Sequence, residues 1–384
     1  MKKIISCLAA VAFVIVFFTA NVAKMPFANA QDKRLGIVAT TFPSYDWVRQ
    51  ILGGHMADTE LTLLLSSGVD LHSFQPSVED IAKIANCDLF VYVGGESDAW
   101  VHDVLQTAAN PNRVAVNLLD ALGDGVKMEE IIEGMESDHD HDHGHGEDHA
   151  HEDDHDHDDD HDHEHSEDYD HDEAHDHDKD SAHDEDHDHD HDHDDHDENH
   201  DHEHQSEPDE HVWLSLKNAQ VLCGYIAERL SGIDPQNAAN YAANAQQYQL
   251  TLSALDAEYE EAMRDATTKT LLFGDRFPFR YLVDDYGLSY YAAFSGCSAE
   301  TEASFETIVF LTNKLNEENL HSVMVTEGAN QSIARTIIQN STQKNQRILV
   351  LDSMQSVTAA DVADGASYLS IMENNLEVLK SAVE

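Results

Sequence analysis

Basic residues are scarce in this chain of 384 amino acids, which has 21 lysines and arginines against 76 aspartates and glutamates. The formal net charge of −55 at pH 7 argues against nucleic acids and anionic membrane surfaces as partners and favours cations. Cysteine is scarce too: the four cysteines lie far apart and form neither a Cys-x-x-Cys zinc signature nor a disulfide framework. The His-Glu-x-x-His motif of zinc hydrolases occurs only at residues 151–155, within a run of alternating histidine and acid.

Long apolar runs are equally rare, and only one stretch is apolar for long enough to concern a membrane. After two lysines, an apolar run occupies residues 4–20, and Ala28-Asn29-Ala30 has the small-x-small pattern of a cleavage site. We therefore expect residues 1–30 to be a bacterial secretory signal peptide and the mature chain to work in the periplasm or at the cell surface. An uncleaved anchor is the alternative, because about 17 apolar residues lie near the lower limit for crossing a bilayer.

The chain is rich in histidines that alternate with acidic residues, and these are concentrated in residues 138–204. This segment contains 23 of the 28 histidines and 34 of the 76 acidic residues, against a single base, Lys179. Burying the few apolar side chains of this segment cannot offset the entropic cost of ordering its backbone, about 1–2 kcal/mol per residue. We therefore expect the free segment to be disordered. A solvated acidic linker would have no use for a histidine at every second position. Alternating imidazoles and carboxylates instead predict a loop with many weak sites for zinc, copper or nickel.

On both sides of this segment, short apolar runs alternate with helical patterns, which predicts mostly parallel sheets covered by helices on both faces. From Asp234, as N-cap, and Pro235, apolar residues recur at helical spacing to about Ala266, which predicts one helix roughly 48 Å long. The predicted fold class is α/β, with two parallel-sheet lobes joined by one long rigid helix. The predicted order is a signal peptide (1–30), N-terminal lobe (31–137), histidine-rich loop (138–204), end of the N-terminal lobe (205–233), connecting helix (234–266) and C-terminal lobe (267–384).

Two motifs resemble the metal-ligand motifs of the solute-binding proteins of zinc and manganese ABC importers. The first is Asp70-Leu71-His72-Ser73-Phe74-Gln75-Pro76-Ser77, and the second is Asp209-Glu210-His211-Val212-Trp213-Leu214, which directly follows the histidine-rich segment. The resemblance covers essentially the whole mature chain, down to the closing Tyr368-Leu369-Ser370-Ile371-Met372. It implies a metal site in the cleft between the lobes, no enzymatic activity, and a membrane permease as partner.

The resemblance also implies metal ligands at His72, His211 and Asp352, the last at the end of a predicted strand. The family's third ligand is a His or Glu at the end of the first strand of the second lobe, and this chain has no histidine there. Asp275 is the nearest chemical equivalent.

Two alternatives to this ligand set stay open. Asp275 could equally pair with Arg276 or Arg280. Glu327, which follows another predicted strand, is either a hydrogen-bonding residue of the inner cleft or an alternative ligand.

Two neutral imidazoles with one or two carboxylates form a four-coordinate site of little net charge, suited to Zn²⁺ and acceptable to Mn²⁺. Because these ligands come from both sides of the long helix, binding is expected to depend on the relative position of the lobes. We therefore predict a monomeric protein that captures Zn²⁺ and delivers it to an ABC-type importer, with the histidine-rich loop as a weak collector and Mn²⁺ as the alternative cargo. Alternatives from other classes are a secreted metal buffer and a metallohydrolase, which would need an open coordination position and a general base.

Overall fold

The computed structural model describes residues 34–107, 109–136, 207–298 and 302–384. The predicted signal peptide and the predicted histidine-rich loop lie outside these residues. All described residues belong to one compact unit. They form two four-stranded sheets in which every strand pair is parallel, and this confirms the predicted pair of parallel-sheet α/β lobes.

The N-terminal lobe contains strands β1 (Leu35–Ala39), β2 (Thr59–Leu63), β3 (Leu89–Tyr92) and β4 (Val114–Asn117), and helices α1 (Phe42–Leu52), α2 (Val78–Asn86), α3 (Val101–Gln106), α4 (Leu118–Leu122) and α5 (Leu216–Ile233). Its strand order is β2-β1-β3-β4. The apolar residues Leu89, Phe90 and Val91 of β3 are fully buried, as expected of a strand in a parallel sheet that is covered on both faces.

The C-terminal lobe contains strands β5 (Thr270–Phe277), β6 (Ser289–Ser295), β7 (Ser322–Thr326) and β8 (Arg347–Leu351), and helices α7 (Arg280–Tyr286), α8 (Phe305–Glu317), α9 (Ser332–Asn340), α10 (Ala359–Ala363) and α11 (Tyr368–Val383). Its strand order is β6-β5-β7-β8. The register between β5 and β6 shifts between Phe273 and Arg276, so β5 carries one extra residue there. This bulge adjoins the position where the sequence predicts Asp275 as a ligand.

The long connecting helix, α6, spans Ala238–Arg264 and has 27 residues, or about 40 Å. It begins later than predicted, because Asp234 does not cap it. The Asp234 carboxylate accepts hydrogen bonds from the Asn237 side chain (2.7 Å) and the Tyr241 hydroxyl (2.8 Å), and residues 235–237 form a turn. Among the described residues, α6 included, no helix combines the length and apolarity needed to span a bilayer.

The two lobes share one hydrophobic core in which α6 packs against α1, α5 and α11. At its centre, the buried Tyr368 of α11 donates its hydroxyl to the carbonyl of Trp213 (2.7 Å) and its backbone N–H to the buried Asp46 (3.0 Å). Trp213 and Asp46 belong to the N-terminal lobe and Tyr368 to the C-terminal lobe. The lobes are therefore joined by buried side chains as well as by the helix.

Candidate metal centre

The two motif histidines are held by the same local arrangement, an aspartate two residues earlier in the chain. The Asp70 carboxylate accepts the backbone N–H of His72 (3.0 Å), and the Asp209 carboxylate accepts that of His211 (2.8 Å). His72 lies in a single 3₁₀ turn in the loop after β2, and His211 directly precedes another such turn before α5. The structure brings the two imidazoles together, with their Nε2 atoms 3.2 Å apart.

Hydrogen bonds on the Nδ1 side orient both rings. His211 Nδ1 lies 3.0 Å from the Asp209 carboxylate, which can only accept, so this nitrogen carries the proton and Nε2 keeps its lone pair. His72 Nδ1 lies 2.7 Å from the Ser97 hydroxyl. Two nitrogens bound to one tetrahedral zinc at 2.0–2.1 Å would be about 3.3 Å apart, so the observed Nε2 separation of 3.2 Å fits a shared ion.

The electrostatic surroundings of the two rings differ. Burial, followed by the charge that His211 would carry, lowers the pKa of His72 to about 3. Burial also opposes a charge on the fully buried His211, but the nearby carboxylates of Asp209, Glu210 and Asp70 together raise the pKa of that imidazole. His72 is therefore neutral at pH 7 and ready to ligate. Protons therefore compete with an arriving cation more strongly at His211 than at His72.

Cys297 is a third ligand-type side chain at this point, and sequence reasoning missed it. One ligand atom from each of His72, His211 and Cys297 can be chosen so that all three lie within 4.8 Å of one another. Cys297 is a free thiol in the turn after β6, so it belongs to the C-terminal lobe. Its pKa is raised by burial and next by the charge of Glu129. The available sequence signal was its position, just past the carboxyl end of a strand.

Asp352 follows β8, as predicted, but does not belong to this group of three. Its carboxylate accepts the backbone N–H of Met354 (2.7 Å), and its carbonyl accepts the side-chain N–H of Asn375 (2.8 Å). Burial, followed by the charge of Glu327, raises the pKa of Asp352 to about 6. Its assignment as a ligand stays a prediction.

Asp275 also lies outside the group of three, and its assignment as a ligand likewise stays a prediction. Its carboxylate accepts the backbone N–H (2.9 Å) and the hydroxyl (2.5 Å) of Thr326, which ties β5 to β7. Neither arginine considered from the sequence pairs with it. Arg276 instead reaches Asp70 of the N-terminal lobe, and Arg280 pairs with Glu130 and with Asp284 of its own helix.

Glu327 organises the loop that follows Asp352. Its carboxylate accepts hydrogen bonds from the backbone N–H (2.7 Å) and hydroxyl (2.9 Å) of Ser353 and from the backbone N–H of Gln355 (3.0 Å). These contacts fit the predicted hydrogen-bonding role better than the alternative role as a ligand, because the carboxylate is already engaged.

Gly296 allows the turn that carries Cys297 to approach His211. A Cβ atom at this position would lie 3.0 Å from His211 Cε1 and 2.9 Å from the carbonyl oxygen of Phe277. We therefore expect Gly296→Ala to displace the His211 ring and to lower zinc affinity by about 10- to 100-fold, the usual range for disturbing the support of a metal ligand. Competition against a chelator strong enough to strip weak histidine sites measures this affinity.

The matched control for Gly296→Ala is Gly54→Ala, where an added Cβ meets nothing within 4 Å. Gly54 lies in the N-terminal lobe, and its variant should bind zinc as the parent does. Equal affinities of the Gly296→Ala protein and the parent would show that the close contact with His211 does not position the ring.

The fold consists of two parallel α/β lobes joined by one long helix. Between the lobes, two imidazoles from one lobe lie near a thiol from the other. These features define a bilobed binding protein with a metal-type site between its lobes. A family model agrees with this class. Residues 37–382 match the model described as ZnuA, zinc-uptake complex component A, periplasmic, and the chain belongs to this family.

Individual relatives are similar over most of the chain. The zinc-binding lipoprotein AdcA of Streptococcus pneumoniae is 28% identical over 384 residues, which cover 100% of this chain and 62% of that protein. The high-affinity zinc uptake system protein ZnuA of Bacillus subtilis is 25% identical over 374 residues, which cover 97% of this chain and 95% of that protein. The chain thus spans about three fifths of the length of the AdcA relative.

Solved structures have the same fold. The crystal structure of Zn(II)-bound AdcA from Streptococcus pneumoniae has a TM-score of 0.60 and 25% identity, and the similarity covers 91% of this chain and 58% of that chain. The lipoprotein YcdH from Bacillus subtilis has a TM-score of 0.61 and 22% identity, with 90% of this chain and 98% of that chain covered. At that identity YcdH supports the fold alone.

Proposed function

We propose that this chain captures Zn²⁺ outside the cytoplasm and delivers it to the permease of an ABC-type importer. The observation that carries the proposal is the pair of imidazoles of His72 and His211, whose Nε2 atoms converge at a spacing suited to one tetrahedral ion. Membership of the zinc-uptake family supports zinc as the cargo and a membrane permease as the partner. The names of AdcA and ZnuA, which describe zinc binding and zinc uptake, support the same conclusion.

In this proposal zinc is cargo, the protein is a monomer, and no bond of a substrate is broken. His72 and His211 supply two nitrogens, and Asp352 and Asp275 remain the proposed carboxylate ligands of the C-terminal lobe. Imidazole favours zinc over manganese, which prefers oxygen ligands, so Mn²⁺ is the weaker alternative cargo. An ion held by groups from both lobes makes its binding free energy depend on their relative position, which a permease can sense.

The histidine-rich segment is proposed to collect zinc weakly near this site. Its flanks are described residues: Met128 and Pro208 form an antiparallel bridge, and the N–H of Glu129 donates to the carbonyl of Glu207 (2.7 Å). The second flank continues directly into the motif that contains His211, and the charge of Glu129, on the first flank, contributes to the raised pKa of Cys297. Weak sites attached this close to a strong one raise the local zinc concentration there.

Deleting residues 138–204 tests whether the site or the segment is the main binding function. We expect the shortened chain, closed with a short Gly/Ser linker, to unfold at nearly the same temperature as the parent, because the paired flanks already bring the chain ends together. Titration calorimetry should show about one tight zinc equivalent, with the weaker equivalents of the parent lost.

The matched control for this deletion carries the same linker together with His72→Ala, and it should lose the tight equivalent. If the shortened chain folds but binds no tight zinc, the chain is a metal buffer in which the segment performs the function.

A further inference from the structure

We propose that the thiolate of Cys297 is a ligand of the cargo ion, together with Nε2 of His72 and Nε2 of His211. This assignment rests on the proposed function and deepens it. It names the group through which the C-terminal lobe holds the ion and makes the site selective for a thiophilic cation. One ring nitrogen of each histidine and the sulfur of Cys297 lie within 4.8 Å of one another, although they come from three separate loops.

The first argument is geometric. In a tetrahedral zinc site with Zn–N bonds of 2.0–2.1 Å and a Zn–S bond of about 2.3 Å, nitrogen and sulfur are about 3.6 Å apart and two nitrogens about 3.3 Å apart. The Nε2 atoms of His72 and His211 are 3.2 Å apart. The nitrogen–sulfur distances in the structure are at most 4.8 Å. A movement of the turn that carries Cys297 by about 1 Å would bring them to the distance found in a zinc site.

The second argument is the way the chain delivers the thiol to this point. Cys297 follows β6, and the last residues of that strand are held from outside: the N–H of Glu136 donates to the carbonyl of Ala293 (2.9 Å). Gly296 then places the backbone against the His211 ring, at a distance that no larger residue allows without displacing an atom. The turn that carries the thiol is therefore held next to the His211 ring.

The third argument is charge and coordination. His72 and His211 are neutral ligands, so two nitrogens alone leave the +2 charge of zinc uncompensated. Binding of the thiol is Zn²⁺ plus Cys–SH to Zn–S–Cys plus H⁺: the S–H bond breaks, the Zn–S bond forms, and the proton leaves to solvent. One thiolate and one carboxylate would neutralise the ion. Asp352 or Asp275 can supply that carboxylate as the fourth ligand, and the thiolate then takes the place of the other carboxylate.

Sulfur also changes which cation the site prefers. Thiolates select zinc and other soft or borderline ions, whereas manganese prefers carboxylates, carbonyls and water. Replacing Cys297 should therefore weaken zinc far more than manganese. A cysteine that merely fills space beside Glu129 would affect both cations alike.

Cobalt spectroscopy on the full chain tests the assignment, because Co²⁺ bound to a thiolate has a strong sulfur-to-metal absorption in the near ultraviolet. The histidine-rich segment contains no cysteine and cannot produce this band. We expect one equivalent of Co²⁺ to give the band in the parent, and Cys297→Ser to abolish it. The Cys297→Ser variant should also bind zinc about 100-fold more weakly, from the loss of one of four ligands, with manganese affinity unchanged within about threefold.

Cys87→Ala is the matched control, because Cys87 is buried in the N-terminal lobe outside the ligand group; it should keep both the band and the zinc affinity. The serine hydroxyl of Cys297→Ser could itself bind the ion, so Cys297→Ala, which has no such oxygen, is measured as well. Circular dichroism confirms that each variant is folded. The assignment is overturned if the parent shows tetrahedral Co²⁺ without the sulfur band, or if Cys297→Ser binds zinc as tightly as the parent. In either case, tight zinc binding by the parent would still support the proposed function. If the parent holds no tight cation that resists the stripping chelator, the proposed function itself fails.

Discussion

His211→Ala should lower the affinity of the tight zinc site by two to three orders of magnitude. Four ligands share about 10–16 kcal/mol in structural zinc sites at pH 7, so one ligand contributes about 2.5–4 kcal/mol, at about 1.4 kcal/mol for each factor of ten. His211 is fully buried, and its ring is fixed by Asp209 on the far side, so neither water nor a neighbouring side chain can readily replace it. Competition with a strong chromophoric chelator, which removes zinc from weaker histidine sites, measures the change.

The matched control for His211→Ala is His321→Ala. His321 is exposed and directly precedes β7, away from the ligand group, so its removal deletes the same side chain without touching the centre. We expect that variant to bind zinc as tightly as the parent. A parental affinity in the His211→Ala protein would remove this residue from the site and, with it, the observation on which the proposed function depends.

The fold was largely predictable because its signals are local. Apolar runs that alternate with helical periodicity specify the strands and helices of two parallel sheets, and the structure contains both sheets. The start of the connecting helix was wrong for an equally physical reason. Asp234 and Pro235 form a good helix start in isolation, but the Asp234 carboxylate bonds instead to Asn237 and Tyr241. Which groups the Asp234 carboxylate accepts hydrogen bonds from depends on three-dimensional geometry, which the spacing of residues in the sequence does not specify.

The metal centre was only partly predictable. His72 and His211 lie in motifs that stand out in the sequence, and the structure places their Nε2 atoms in contact. Cys297 lies in no metal motif, and its relevance depends on which residues the other lobe places opposite it. The ion pair between Arg276 and Asp70 is of the same kind, since these residues are 206 positions apart in the chain. Contacts across a cleft are set by the packing of the lobes rather than by local sequence.

Trp213→Ala should lower the free energy of unfolding of the metal-free protein by about 3–5 kcal/mol, the usual cost of truncating a large buried aromatic side chain. Trp213 is 1% exposed, and its indole N–H donates to the carbonyl of Ser353 in the C-terminal lobe (2.9 Å). Its own carbonyl accepts the hydroxyl of Tyr368 (2.7 Å). The substitution therefore opens a cavity and breaks a hydrogen bond at the junction of the lobes. Urea unfolding of the metal-free full chain measures the loss.

Trp213→Phe separates the two contributions at this junction. Phenylalanine keeps most of the apolar volume but cannot donate to Ser353, so we expect a loss of about 1–2 kcal/mol, the cost of an unpaired buried acceptor together with a small cavity. The indole also packs edge-on against the ring of His211, with centroids 5.4 Å apart, so Trp213→Ala should release that ligand as well. Zinc affinity should then fall by about 10- to 100-fold in the alanine variant and much less in the phenylalanine variant. Equal unfolding midpoints for Trp213→Ala and the parent would mean that the buried indole does not stabilise the junction between the lobes.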